Sequence, residues 1–382
     1  MEPFPSQYHP MKHSWAVSIQ NSPHLRRLSD YLATSTITDP STTTGPLDLT
    51  ADPATLPEIE MQQIESYFQA GPRGGAPSKK GPASVHKVKG ANSRIAKPGI
   101  GRDIGSAGRQ KVAKEAKTHI PKVLRSAGAG GRLGYKVTPE DVPPLKSSME
   151  EFPDSINAIV VVEGDTYDVA LALHYACSVM ESVDPMPVCV LNFANADVPG
   201  GGWLRGSPAQ EEQLCYRSTL SATLLSRLYP MAPKECIYSP QVSIFRENEK
   251  RGYTWMWANV HDPLPQVSVI SMAAEKGPAT TKDKEKYQKA ADSNLMKDKM
   301  RMILRTAAHN RHQRLVLGAL GCGRFGHPTQ AVANCWDDVL KEKEFQGFFE
   351  LIVFAIYDPN DEGNYGIFRN KFIDDVWEDA ME

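Results

Sequence analysis

The chain of 382 residues carries 41% hydrophobic and 23% charged positions, a globular balance that excludes a wholly disordered or collagen-like protein. Its formal net charge of −2 names no polyanionic or membrane partner, yet residues 73–146 hold 17 Lys/Arg against 4 Asp/Glu, a net of +13 between segments at −5 and −10. No window approaches the roughly 18 apolar residues of a membrane span, and the six cysteines (Cys177, Cys189, Cys215, Cys236, Cys322, Cys335) show no CxxC spacing, which reads as free thiols in a nuclear or cytoplasmic compartment.

In chain order, residues 1–104 are expected to be disordered. Blocks such as TSTITDPSTTTGPLDLTADPATLP and GPRGGAPSKKGPASVHKVKGANS bury too little apolar surface to offset chain entropy. A short helix is expected over Pro57–Ala70, and the basic residues Lys79, Lys80, Lys87 and Lys89 are too loosely spaced to read as a nuclear signal. Residues 105–150 read as a helical arm and linker in which Pro121 should break or kink the helix. From 151 to 382 short β-branched runs alternate with helical periodicity, the pattern of an α/β sandwich. Strands are expected at Ala158–Val162, Val188–Phe193, Val267–Met272, Leu315–Leu317 and Leu351–Ile356. Helices are expected at Tyr167–Met180, Gln213–Leu228, Ala290–His309 and Thr329–Lys341. Runs such as IVVV and LIVFAI suit a sheet covered on both faces.

Ligands of an open α/β sheet sit beyond the C-terminal strand ends, and three loops there are unusual. After Val188–Phe193, Gly200, Gly201 and Gly202 precede Gln210, Glu211 and Glu212. Three glycines let the backbone approach a ligand and face its oxygens with N–H groups. Acids in a first helical turn also simply suit the macrodipole, and neighbouring helical positions diverge by about 100°, so one Glu can act as acid/base while the other positions the ligand. After Leu315–Leu317, GALGCGRFGHP contains GxGxxG over Gly321–Gly326. It lies too late in the chain, without the acidic partner about 20 residues on, for a Rossmann site, yet a glycine-rich turn opening a helix cradles diphosphate in any fold. No Walker A motif is present. The third loop, EGDTYD, offers Asp165 either to a base amine or as a helix cap.

These residues together resemble the macrodomain-type poly(ADP-ribose) glycohydrolases. FANADVPGGG and QEE, with seven residues between Gly202 and Gln210, are similar to that family's signature, and LNFAN, AQEEQLCYRSTL, IYSPQVSIFR and LVLGALGCGRFGHP resemble its microbial and fungal branch over roughly Gly108–Phe372. The resemblance implies a macrodomain-like three-layer α/β/α sandwich with a mixed sheet, binding ADP-ribose across the strand ends. It implies Glu212 as general acid/base, Glu211 holding the hydroxyls of the released ribose, and Asn195 on the same ribose. Gly200–Gly202 would wrap that ribose and the adjoining phosphate; Gly321, Cys322, Gly323 and Arg324 would line the diphosphate; Phe325 would pack on the terminal ribose; and Asp165 would meet the adenine amine. Arg324 departs from similar loops, which often carry a small apolar residue there.

The expected reaction is hydrolysis of ribose–ribose O-glycosidic bonds in poly(ADP-ribose) or on ADP-ribosylated proteins, with no metal or cofactor. Three alternatives stay open: a non-catalytic ADP-ribose reader, a hydrolase of single ADP-ribose units, and a nucleic-acid binder acting through residues 73–146. That segment has Tyr135 as its sole Phe, Trp or Tyr, so its expected mode is contact with a polyanion's phosphates, unless it is only a solvated linker.

Overall fold

A computed structural model of the protein describes residues 104–126, 134–146, 158–179, 186–256 and 264–373. The expected disordered segment, except Ile104, and the helix at Pro57–Ala70 lie outside these residues. The described strands are β1 (Tyr135–Val137), β2 (Ala158–Glu163), β3 (Cys189–Phe193), β4 (Cys236–Ser243), β5 (Gln266–Met272), β6 (Arg314–Leu317) and β7 (Leu351–Ile356). The described α-helices are α1 (Gly105–Ser126), α2 (Thr166–Val179), α3 (Gln210–Arg217), α4 (Leu220–Thr223), α5 (Ala290–His309), α6 (Thr329–Leu340) and α7 (Asn364–Ile373). One mixed sheet runs in the order β1-β4-β5-β3-β6-β7-β2. β2, β7, β6, β3 and β5 are parallel, and β4 and β1 continue the sheet antiparallel.

Period-2 alternation sends successive side chains to opposite faces, and here both faces are apolar. Val160, Val162, Val190 and Val353 pack with Ala113, Ile120, Leu171 and Leu214, placing α1 to α4 on one side. Ile159, Val161, Leu191 and Phe354 pack with Met300, Ile303, Trp336 and Phe368, placing α5 to α7 on the other. The result is the three-layer sandwich that the consecutive apolar runs imply.

Two expectations need correction. α1 continues through Pro121: the carbonyl that Pro121 cannot serve belongs to exposed Lys117, where water can satisfy it, while buried Ile120 and Val123 hold the helix on the core. The helix expected over Gln213–Leu228 starts at Gln210 and ends at Arg217, followed by the short α4 and a 3-10 turn at Ser226–Leu228. The break falls where Ser218 turns extended and bridges to Ile244. β4 escapes sequence reading because Pro240 interrupts its run, and the structure accommodates it by a register shift between Ser239 and Val242. Five cysteines, all but Cys177, are described and are unbridged. Among the described residues no helix is long and apolar enough to cross a membrane.

Candidate active site

Adjacent parallel strands β3 and β6 deliver their following loops to the same sheet edge. Gln210, the first residue of α3, ties this edge together. Its Oε1 accepts from Phe193 N (2.8 Å), and its Nε2 donates to Leu191 O (2.8 Å) and Thr166 Oγ1 (3.2 Å). Its side chain therefore locks α3 onto β3 and the start of α2, although the resemblance would group it with the ligand contacts.

The next two residues are the paired acids, 3% and 8% exposed at Glu211 and Glu212. Glu211 Oε2 accepts from Asn195 N at 2.8 Å, and Glu212 Oε1 accepts from Gly202 N at 2.7 Å. A Cβ on Gly201 would stand 2.6 Å from Glu212 Oε1 and 2.8 Å from Glu211 Oε2, so the two carboxylates are a few ångströms apart with bare backbone against both. Gly201 also has φ +58°, and only glycine meets both demands cheaply. In this structure two of the triplet's N–H groups are engaged within the protein. Gly202 N–H holds Glu212, and Gly201 N–H donates to Val198 O at 2.9 Å.

Burial pushes the Glu211 carboxyl up to about 8, the neighbouring Glu212 charge adds to the rise, and the Asn195 N–H opposes it. Desolvation thus outweighs the helix N-terminus at this position. Asn195 uses its Oδ1 to accept from Asp197 N (2.9 Å) and Val198 N (3.1 Å), which shapes the loop and leaves its amide nitrogen for a ligand.

The second glycine loop is built differently. Gly321 has φ +82°, and a Cβ there would sit 2.5 Å from the His327 ring and 2.9 Å from Ala274 Cβ. His327 supports the loop from below, with Nδ1 paired to Tyr287 OH (2.8 Å) and Nε2 to Glu275 O (2.7 Å). The N–H groups of Gly321, Gly323, Arg324 and Phe325 donate to no acceptor among the described residues. Four unengaged amides in one turn make an anion cradle. Arg324 is exposed, and the Cys322 thiol, pushed up to about 12 by burial, stays protonated at neutral pH. Phe325 is partly buried, with Lys276 Nζ 6.0 Å from its ring centroid. Lys276 also pairs with Asp197 at 2.9 Å, joining the mouths of the two glycine loops.

Asp165 lies at the far end of the same edge, after β2. Its Oδ1 caps α2 by accepting from Tyr167 N (2.9 Å) and Asp168 N (3.1 Å), and it pairs with the fully buried Arg217. The cap reading is therefore realised, with Oδ2 left over. Tyr357, exposed after β7, sits close enough for the Asp165 charge to help raise its phenol.

Sequence reasoning missed three groups. Arg109 is buried on α1, donating through Nε to Gly206 O (2.9 Å) and pairing with Glu249 (2.9 Å), which buttresses the turn after the glycine triplet. Arg217 joins α3 to α2, with Asp168 Oδ1 at 2.6 Å. Tyr229 brings a buried hydroxyl near Glu211. Contacts this distant in sequence leave no local signal.

The doubly covered α/β sheet thus carries at its strand ends two buried carboxylates and a turn lined with backbone amides, an arrangement suited to an anionic ligand. The family model described as microbial-type PARG, catalytic domain, matches residues 103–247. The crystal structure of poly(ADP-ribose) glycohydrolase from Thermomonospora curvata is similar at a TM-score of 0.58 and 26% identity, covering 70% of this chain and 100% of that one. The same enzyme bound to the inhibitor ADP-HPD gives 0.56 and 26%, with the same coverage. A variant of the Deinococcus radiodurans enzyme in complex with ADP-ribose gives 0.52 and 27%, covering 66% of this chain and 98% of that one. Comparison with curated proteins found no match. The chain thus resembles the microbial-type poly(ADP-ribose) glycohydrolases, in sequence over residues 103–247 and in fold over about 70% of its length.

Proposed function

We propose that this protein hydrolyses the ribose–ribose O-glycosidic bond of poly(ADP-ribose), with Glu212 as general acid/base and Glu211 holding the released ribose. The observation that carries this reading is the pair of buried acids gripped by the glycine triplet, beside a turn with four unengaged amides. Diphosphate fits the amides of Gly321 to Phe325, the terminal ribose fits between Phe325 and Asn195, and the adenine fits between Asp165 Oδ2 and the exposed Tyr357 ring.

Near neutrality the buried pair retains a proton, which in the free site belongs on Glu211. Ribose hydroxyls donating to Glu211 favour its ionised form, and the displaced proton has Glu212 as the adjacent carboxylate. Glu212 then protonates the leaving 2′-oxygen as the bond to the anomeric carbon breaks and an oxocarbenium-like centre develops. Its carboxylate takes a proton from the water that adds to that carbon.

Residues 73–146 are proposed to contact the polymer's phosphates. In their described part, α1 turns Lys111, Lys114, Lys117, Lys122 and Arg125 to solvent.

Release of ADP-ribose from poly(ADP-ribose) by wild type and Glu212→Gln, with ADP-ribose binding measured on both, tests the reading. Turnover lost with binding kept supports it. A wild type that binds ADP-ribose and hydrolyses neither polymer nor mono-ADP-ribosylated protein is a reader.

A further inference from the structure

Three buried polar atoms at this edge have no hydrogen-bond partner among the described residues: Glu211 Oε1, Asn192 Oδ1 and Tyr229 Oη. Asn192 is fully buried on β3, donates through Nδ2 to Ser271 Oγ at 2.9 Å, and lies close enough to Glu211 for its amide to oppose the rise of that acid. Tyr229 follows the 3-10 turn Ser226–Leu228, and Met231 N, two residues on, donates to Ala196 O at 2.9 Å, beside the Asn195 whose N–H holds Glu211. The phenol thus stands on a loop stitched to the one that holds the acid. Burial raises it, and the Glu211 and Cys215 charges raise it further, so it remains a donor throughout the working pH range. Unpaired buried polar groups are costly, and an unpaired carboxylate oxygen with two more such atoms in its neighbourhood calls for a functional reason.

We propose that Tyr229 is a positioning residue for Glu211: as Glu211 ionises on taking up the ribose, its Oε1 turns to accept from the Tyr229 hydroxyl. The inference rests on the hydrolase reading above and adds to it the donor that stabilises the ionised acid. The titratable groups facing Glu211 are Glu212 and Cys215 from its own helix and Tyr229 from the opposing loop; Asn192 and Asn195 are neutral.

Tyr229→Phe removes only the hydroxyl. A donor to the charged form lowers an acid's pKa, so its loss raises that of Glu211. Because the active arrangement needs the pair's one proton on Glu212 with Glu211 ionised, the falling limb of kcat/KM against pH moves about one unit alkaline. At pH 7 the loss is on the order of tenfold, closing above the limb. Because an unpaired buried hydroxyl is removed, the variant should melt no lower than wild type. An unshifted profile, or a uniform loss at every pH, overturns the proposal. A wild type without turnover would instead sink the hydrolase reading. The pH dependence of ADP-ribose binding then decides the inference: a shift between wild type and Tyr229→Phe supports it, and coincident curves reject it.

Discussion

Glu211 and Glu212 are neighbours in sequence with different surroundings, and each yields its own test. Glu212→Gln keeps the shape and the Gly202 N–H contact while removing the transferable proton. Turnover should fall by about 10²–10⁴, the usual contribution of a general acid, with ADP-ribose affinity within a few-fold of wild type by calorimetry. Glu211 affects stability. Its carboxyl is raised from 4.5 to about 8 in the folded protein, so between those values the folded state holds a proton that the unfolded state has released. Stability therefore declines as pH rises through this window and is unaffected by this group below it. Glu211→Gln removes the penalty, so its gain in stability over wild type should be near zero at pH 4.5 and reach about 2–4 kcal/mol at pH 8. Denaturant midpoints across pH check both the sign and the window.

At the scale of the element, the glycine triplet and the α2–α3 junction do separate work. Gly201→Ala places a methyl 2.6 and 2.8 Å from the two carboxylates at a positive φ, so the pair must separate. A stability loss of about 1–3 kcal/mol and turnover reduced at least tenfold are expected, read by thermal melts and polymer hydrolysis. Arg217 holds Asp165 and Asp168 at the start of α2, itself fully buried. Arg217→Met leaves two acids without their cation, which should cost about 3–5 kcal/mol by chemical denaturation, well above the cost of an exposed pair. Only part of this was legible locally. The GGG and QEE segments are visible as strings, and five strands follow from apolar runs. The grip of Gly202 on Glu212, the helix stop at Arg217 and the bulge at Pro240 depend on partners elsewhere in the chain.

For the whole molecule, the outcome that matters is how α1 joins the catalytic unit. Its sequence suggests an arm, but Ala113, Ala116, Ile120 and Val123 lie in the core shared with α2 and β2, and Arg109 and Ser106 brace the turn beyond the glycine triplet. We propose that residues 1–103 are dispensable for hydrolysis and that those from 104 onward are not. A chain starting at 104 should keep wild-type turnover on short polymer. One starting at 127 should melt far lower, having lost four buried apolar side chains worth about 1.5–3 kcal/mol each for the larger ones. Neutralising Lys111, Lys114, Lys117 and Lys122 should weaken long-polymer binding and flatten its salt dependence, because each phosphate contact contributes to counterion release.

The sequence by itself determined the sheet's apolar strands, the order of the loops at its edge and the chemistry those loops carry. Composition and local spacing suffice because strand burial and glycine geometry are written into consecutive residues. Only the tertiary structure decided which acid is the more deeply buried, that Gln210 clamps the framework, that α1 belongs to the core, and that the Tyr229 hydroxyl is buried within range of the Glu211 charge. Each depends on water being excluded by segments far apart in the chain, and burial is a property of the assembled fold.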